Sequence, residues 1–207
     1  MIKNHILDCG RVPLFESNSL DVAQQAQGAL ASNSGERQAG QRGGLTLDCI
    51  IPFQEQSNWC WAATALGILR YYEPANRTSQ CQAVNGILKT FGACQDPGNP
   101  RVNKAWYVDT SLAHFGNLAG DGTYGALSFE RLTAQIQNRR PVVVRVGWYG
   151  GGGHFMAVNG FSGGSSDLVS ITDPSYGKTL MSYYGFCKSY QGSGRVSHAF
   201  KTKSHLY

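Results

Sequence analysis

Residues Gln54 to Thr64 read Gln-Glu-Gln-Ser-Asn-Trp-Cys-Trp-Ala-Ala-Thr, and the interpretation of the whole chain depends on this stretch. A polar loop leads to a cysteine between two tryptophans, and an apolar run without proline follows. From Cys60 to Tyr72 that run is rich in alanine and leucine, and its apolar residues recur at helical spacing. Glu73-Pro74 ends the pattern, because the residue before a proline disfavours helical geometry. The sequence therefore predicts a helix over residues 60–72.

Cys60 lies at the start of this predicted helix, and Ser57 and Asn58 are suitable N-cap residues just ahead of it. Unpaired backbone N–H groups and the helix dipole favour negative charge in the first turn, which promotes a reactive thiolate. Gln54 lies six residues upstream, where its amide can donate a hydrogen bond to an oxyanion, with Gln56 as the competing candidate. A buried structural cysteine in an aromatic cluster is the alternative interpretation.

The second half of the chain is rich in β-branched residues. Runs bounded by turn signals predict strands at residues 141–149, 154–161, 168–172 and 196–201. His154 follows four glycines and opens the second of these strands, and Asp173 follows the third. A hairpin turn at residues 162–167 brings Asp173 close to His154, so that the carboxylate can orient the imidazole. A surface histidine and an Asp-Pro turn are the alternatives.

Helical spacing predicts three more helices between these parts, at residues 79–91, 108–115 and 128–138, with Gly92 as the C-cap of the first. Residues 47–53 are expected to form a short strand before the glutamine loop, and residues 182–190 a short aromatic helix. Helices come first and an antiparallel sheet follows, which predicts the α+β class.

One sequence pattern resembles the active-site segment of papain-like cysteine peptidases: Gln54, then five residues, then Cys60-Trp61 at the start of a helix. The form Ser-Asn-Trp-Cys-Trp-Ala-Ala resembles the bacterial C39-like and AvrRpt2-like branches more than the cathepsins. Residues 154–160 fit the family pattern His-x-x-x-Val/Ile-x-Gly, and an aspartate before proline is the bacterial form of the third residue. The resemblance covers about residue 45 to the C-terminus. It implies a papain-like fold with an N-terminal helical half and a C-terminal antiparallel β-sheet half.

The resemblance also implies a cysteine endopeptidase that cleaves protein substrates through an acyl-enzyme. Cys60 is then the nucleophile, His154 the general base and Asp173 the group that orients the histidine. Gln54 and the Cys60 backbone N–H form the oxyanion hole. No metal or organic cofactor is expected. The same triad serves transamidases and deamidases that act on protein amides, and a non-catalytic adaptor on this fold is a third alternative.

Residues next to the proposed site are candidate walls of a substrate cleft, although such aromatic side chains more often belong to a core: Trp59, Trp61, Trp148, Tyr149 and Gly153. Glycines before His154 let a substrate backbone approach closely or let the histidine loop move.

The chain is divided into an N-terminal extension, residues 1–44, and a peptidase domain, residues 45–207. Residues 19–30 are compatible with a short helix, and residues 32–44 predict a flexible linker because they are almost free of apolar side chains. The extension is interpreted as a targeting segment, a removable pro-segment or a disordered tail. Gly43-Gly44 is a candidate self-cleavage site, because the C39-type peptidases that the chain resembles cut after double glycine.

The net charge of +5 is spread along the chain, and no dense run of basic residues indicates a nucleic-acid partner. No apolar stretch approaches the roughly 18 residues of a membrane span, so membrane insertion is not expected. The N-terminal apolar segment is too short for a Sec signal peptide. These features, with the resemblance, favour a protein made in the bacterial cytoplasm and then secreted or injected into a target cell, as an effector or an interbacterial toxin with a cognate immunity protein.

The six cysteines contain no Cys-x-x-Cys pair, which argues against a zinc ribbon or a thioredoxin-like site. Without a secretion signal, free thiols are expected. Cys81 and Cys94 lie in one loop-rich region and are the leading exception.

Overall fold

The computed structural model describes residues 43–164 and 166–205, so the predicted helix at residues 19–30 and most of the predicted linker lie outside the described residues. The described part contains five helices: α1 (Cys60–Tyr72), α2 (Gln80–Leu88), α3 (Val108–His114), α4 (Phe129–Gln137) and α5 (Tyr183–Ser189). It also contains seven strands: β1 (Leu45–Thr46), β2 (Thr123–Tyr124), β3 (Val142–Trp148), β4 (Gly153–Ser162), β5 (Leu168–Asp173), β6 (Gly177–Ser182) and β7 (Gly194–Lys201). This order confirms the predicted α+β class.

The strands form one antiparallel sheet in the spatial order β2-β7-β3-β4-β5-β6, and β1 pairs with the far end of β4. Consecutive strands β3, β4 and β5 pair as hairpins, as the predicted turns require. The strand β4 lies between β3 and β5; its start pairs with β3, and its pairing with β5 begins at Ala157. Among the described residues, no helix has the length and hydropathy needed to cross a bilayer.

The helix α1 is the centre of the helical half, and every residue from Cys60 to Leu69 is buried. It begins after Trp59 and has no side-chain cap, so the predicted capping by Ser57 or Asn58 is wrong. Asn58 bonds to Asn103 and does not cap the helix: its N–H donates to Asn103 Oδ1 (3.0 Å), and its side-chain amide donates to the Asn103 carbonyl (3.2 Å).

Residues 47–53 run beside the sheet but do not form the predicted strand, since only Leu45–Thr46 pair as β1. Side chains replace the missing ladder. Asn159 Nδ2 donates to two carbonyls of this segment, at 3.1 and 3.0 Å, and the Thr172 hydroxyl accepts the Ile51 N–H at 2.9 Å. These bonds fix the segment that leads into the Gln54 loop.

The helix α2 ends at Leu88, and Lys89 takes the left-handed conformation (φ 54°) as its C-cap, so the prediction of Gly92 in that role is wrong. Ser79 and Gln82 form a capping box at its start. A disulfide joins Cys81 in this helix to Cys94, and the chain must turn back after α2 to reach it. The exception made for this cysteine pair is confirmed.

Gly67 lies where α1 crosses residues 50–51, and a Cβ there would be 2.9 Å from the Ile50 carbonyl oxygen and from Ile51 Cα. Alanine is a better helix former than glycine by about 1 kcal/mol, but these main-chain atoms cannot move to make room for the added methyl group. We expect Gly67→Ala to lower the free energy of unfolding by about 1–3 kcal/mol in urea denaturation. Gly98→Ala, where nothing lies within 4 Å, is the matched control. Equal stability of the two variants would show that α1 can shift freely at this crossing.

Candidate active site

His154 and Asp173 lie side by side in the interior. His154 is the second residue of β4, Asp173 is the last residue of β5, and the antiparallel pairing of these strands brings them together. His154 Nε2 lies 2.8 Å from Asp173 Oδ1. The exposed fractions are 2% for His154 and 0% for Asp173, so bulk water does not compete for this bond. Because Nε2 faces the carboxylate, Nδ1 is the nitrogen left for proton transfer.

The Asp173 carboxylate accepts four hydrogen bonds. Besides His154, Oδ1 accepts the N–H groups of Ser175 (2.6 Å) and Tyr176 (3.0 Å), and Oδ2 accepts the Tyr190 hydroxyl (2.8 Å). Burial by itself would raise the pKa of Asp173, but the charge and hydrogen bond of His154, with the other donors, lower the pKa below its ordinary value. The carboxylate therefore stays ionised and holds the imidazole.

Cys60 is the first residue of α1 and is fully buried. One turn later, Thr64 Oγ1 donates to the carbonyl of Phe155, the residue after His154, at 3.1 Å. Residues four apart share one face of a helix. Cys60 therefore lies on the face of α1 that packs against the start of β4. The expectation of free thiols outside the Cys81–Cys94 pair is wrong for Cys60, because its sulfur is in a disulfide in this structure. The sulfur therefore has to be reduced before it can act as a nucleophile.

Cys49 and Cys187 are free thiols. Burial, with a smaller contribution from Asp48, raises the pKa of Cys49 to about 12. Burial also raises the pKa of Cys187. Neither cysteine is thus poised to form a thiolate at neutral pH.

Gln54 is held firmly beside the turn that follows Asp173. Its N–H donates to the Pro174 carbonyl (2.9 Å), and its Oε1 accepts from Ser175 Oγ (3.0 Å). Its Nε2 donates to the carbonyls of Gln56 and Ser57, both at 2.9 Å. Both amide hydrogens therefore have acceptors within the loop, and one must be released before it can reach an oxyanion. The competing candidate, Gln56, has a side-chain amide without a hydrogen-bond partner among residues 43–164 and 166–205.

Trp59 and Trp61 are fully buried, so the prediction that they wall a cleft is wrong. Each indole N–H donates to a main-chain carbonyl, Trp59 to Val102 at 3.0 Å and Trp61 to Lys104 at 2.9 Å. The two tryptophans, which flank Cys60 in the sequence, thus bind the start of α1 to residues 102–104.

The other candidate cleft residues differ in exposure. Trp148 is buried and stacks on His154, with ring centroids 6.4 Å apart and planes at 26°. Gly153 is also buried, and a Cβ there would meet the Arg145 guanidinium at 2.5 Å. Tyr149 is 69% exposed and is the one aromatic candidate that a substrate can reach directly.

Gly43 and Gly44 are not brought to the site. Both are exposed at the start of the described chain. Gly44 precedes Leu45, which pairs with Phe161 near the end of β4 that is remote from His154.

Sequence reasoning missed three groups that serve Asp173: the main-chain N–H groups of Ser175 and Tyr176, and the Tyr190 hydroxyl. An aspartate often accepts from the N–H two or three residues later, so the turn donors had a local signal. No local sequence pattern indicated Tyr190, because it follows α5 and is 17 residues from Asp173 in the chain.

A buried His-Asp pair on an antiparallel sheet, with a helix that begins at a cysteine packed against it, is the arrangement expected of a papain-like cysteine peptidase. The chain belongs to the family described as papain-like cysteine protease AvrRpt2, which matches residues 45–191.

Two solved structures are similar to this chain. One is a double glycine motif protease from an AMS/PCAT transporter in complex with the leader peptide, with 18% identity and a TM-score of 0.43, covering 78% of this chain and 96% of that one. The other is the Pseudomonas avirulence protein AvrPphB, with 12% identity and a TM-score of 0.35, covering 75% of this chain and 98% of that one. No curated protein sequence matches this chain significantly.

Proposed function

We propose that this cysteine peptidase hydrolyses peptide bonds of protein substrates with Cys60 as nucleophile, His154 as general base and acid, and Asp173 as the group that orients the histidine. The buried 2.8 Å bond between His154 Nε2 and Asp173 Oδ1 carries the proposal. It holds the imidazole with its other nitrogen available, at the strand end against which the start of α1 packs.

In the proposed reaction, His154 Nδ1 takes the proton of the reduced Cys60 thiol, and the thiolate attacks the scissile carbonyl carbon. The imidazolium then gives the proton to the leaving amine nitrogen, which leaves a thioester. Water attacks the thioester as His154 takes one of its protons, and that proton returns to the sulfur as the acid product departs. Asp173 stays ionised throughout and stabilises the imidazolium.

The oxyanion of the tetrahedral intermediate is assigned to the Cys60 backbone N–H and the Gln54 amide. Gln54 Nε2 would exchange one of its loop carbonyls for the substrate oxygen. Ser175 supports this assignment, because its hydroxyl holds Oε1 and thereby keeps Nε2 on the side of the loop that enters α1.

Comparison of new N-termini in a proteome tests the activity. The reduced protein and its Cys60→Ala variant are incubated separately with a candidate target-cell extract. New termini made only by the parent protein support a peptidase. Mass shifts of amide hydrolysis without chain cleavage would instead indicate a deamidase, and identical proteomes would indicate an adaptor.

We propose further that the enzyme cuts its own extension after Gly44, and that the reaction occurs between molecules. Leu45 pairs with Phe161, seven residues along β4 from His154. At about 3.3 Å per strand residue, the Gly44–Leu45 bond is held more than about 20 Å from the histidine. It therefore cannot enter its own site while β1 is paired. A cut there leaves every described helix and strand in place.

Dilution distinguishes the two routes. Full-length Cys60→Ala protein serves as substrate for a trace of active enzyme, and we expect a product that begins at Leu45 and forms in proportion to the enzyme added. Gly163-Gly164, which follows β4 in the turn before β5, is an internal control that should stay intact because a turn is not extended. Processing of the parent protein at a rate independent of its concentration would contradict the intermolecular route. A product cut elsewhere would contradict the Gly44 site.

The biological setting proposed is that of a bacterial effector delivered into a target cell. Membership of the AvrRpt2 family supports it. A reporter fused to the chain should enter target cells from a secreting strain and remain outside them when the secretion system is deleted. An interbacterial toxin would in addition need a cognate inhibitor, which should co-purify with the Cys60→Ala variant.

A further inference from the structure

Tyr190 reaches the Asp173 carboxylate from a third segment of the chain. It follows α5 directly, is fully buried, and donates from its hydroxyl to Asp173 Oδ2 at 2.8 Å. Its main chain is fixed to the start of β7, because its N–H donates to the Gly194 carbonyl (2.9 Å) and its carbonyl accepts the Gly194 N–H (2.8 Å). The position of the hydroxyl is thus set independently of the β4–β5 hairpin.

The surroundings of this bond are apolar. Trp148 stacks on both rings, with centroids 6.4 Å from His154 and 6.4 Å from Tyr190. Phe186 meets the Tyr190 ring edge-on at 5.7 Å. Burial, and then the negative charge of Asp173, raises the pKa of Tyr190, so the phenol remains a neutral donor at physiological pH. Tyr190 is 0% exposed, so bulk water does not reach its hydroxyl.

We propose that Tyr190 is a positioning residue for this peptidase: by holding Oδ2, it keeps Oδ1 of Asp173 directed at His154 Nε2. The proposal rests on the catalytic roles proposed for His154 and Asp173. Three donors already converge on Oδ1, whereas Tyr190 is the donor that holds Oδ2. A buried carboxylate oxygen without a hydrogen-bond donor costs free energy. Removal of the Tyr190 hydroxyl therefore favours rotation of the carboxylate toward other donors.

Tyr190→Phe keeps the ring and removes the hydroxyl. We expect kcat to fall about 10-fold to 100-fold with little change in KM, because the carboxylate turns away from Nε2 in most molecules and leaves their imidazole misplaced for proton transfer. The alkaline limb of the pH dependence of kcat/KM should move to higher pH. The limb reports on the active molecules, in which the carboxylate still faces Nε2 but has lost one donor; it is less stabilised there, so it binds the imidazolium proton more tightly. Asp173→Asn should move the same limb to lower pH, because it removes the charge.

Tyr72→Phe is the matched control. It removes a phenol hydrogen bond of the same length, 2.8 Å to Thr202 Oγ1, at the opposite end of α1 from Cys60. We expect both variants to lose thermal stability and only Tyr190→Phe to move the pH limb. An unmoved limb with normal kcat would overturn the proposal and leave Tyr190 as a core residue.

A fluorinated tyrosine at position 190 gives a second test that keeps the hydroxyl and the packing. The more acidic phenol donates more strongly to Asp173, so the alkaline limb should shift to lower pH. An unmoved limb or a shift to higher pH would contradict the proposal. Failure of the triad itself has a different signature, since Asp173→Ala and Asp173→Asn would then both retain full activity.

Discussion

Cys60→Ala is expected to lower kcat/KM by at least about 10⁴-fold, the scale at which loss of a nucleophile leaves only binding and oxyanion stabilisation. Alanine keeps the Cβ and the backbone N–H at the start of α1, so the substrate should still bind with nearly unchanged affinity. A fluorogenic peptide derived from a mapped cleavage site gives the rates, and titration with the same peptide gives the affinity.

Two controls separate loss of the nucleophile from loss of a thiol in general. Cys187→Ala removes a partly buried free thiol outside the site and should keep full activity. The parent enzyme should be inactive until a reductant opens the disulfide that holds Cys60, and iodoacetamide should label Cys60 only after that step. A Cys60→Ala protein that still cleaves the peptide would remove this cysteine from the mechanism.

The parts of the fold that the sequence predicted depend on local patterns. The bounds of α1 were predicted as observed, because an apolar run with helical spacing meets a proline signal at its end. The β3–β4 and β4–β5 hairpins followed from β-branched runs separated by glycine and serine, and their pairing then placed Asp173 beside His154. Each of these predictions used only residues that are close to one another in the sequence.

The parts that were missed depend on contacts between distant segments. Residues 47–53 look like a strand, but an asparagine and a threonine side chain take the place of a strand partner. The strand β6 is an edge strand whose side chains are alternately half-buried and exposed, so it lacks the apolar run that identifies the inner strands. The two tryptophans beside Cys60 look like cleft residues until their hydrogen bonds to residues 102–104 are known.

Asp173→Ala should lower kcat/KM by about 10⁴-fold, since the histidine loses the group that fixes its orientation and stabilises its charge. The variant also leaves the N–H groups of Ser175 and Tyr176 and the Tyr190 hydroxyl without their acceptor. The Tyr190 hydroxyl is fully buried and costs about 1–3 kcal/mol when it loses its acceptor, and the two partly buried N–H groups cost less, so the free energy of unfolding should fall as well. Peptide kinetics and urea denaturation at pH 7 measure the two effects.

Asp173→Asn separates geometry from charge. The amide oxygen can accept the three bonds that Oδ1 accepts now, and the amide nitrogen can donate to a rotated Tyr190 hydroxyl, so the loss of activity should be smaller than for Asp173→Ala. The folded protein lowers the pKa of Asp173, so this carboxylate stabilises the fold above its unfolded pKa of about 3.9 and stops doing so as the pH falls through the folded value. Acid denaturation should therefore be less steep below about pH 4 in the Asp173→Asn variant than in the parent protein. Equal steepness would mean that the carboxylate is no more ionised in the folded chain than in the unfolded one, and a histidine held by such a group would lack the charge that the proposed mechanism requires.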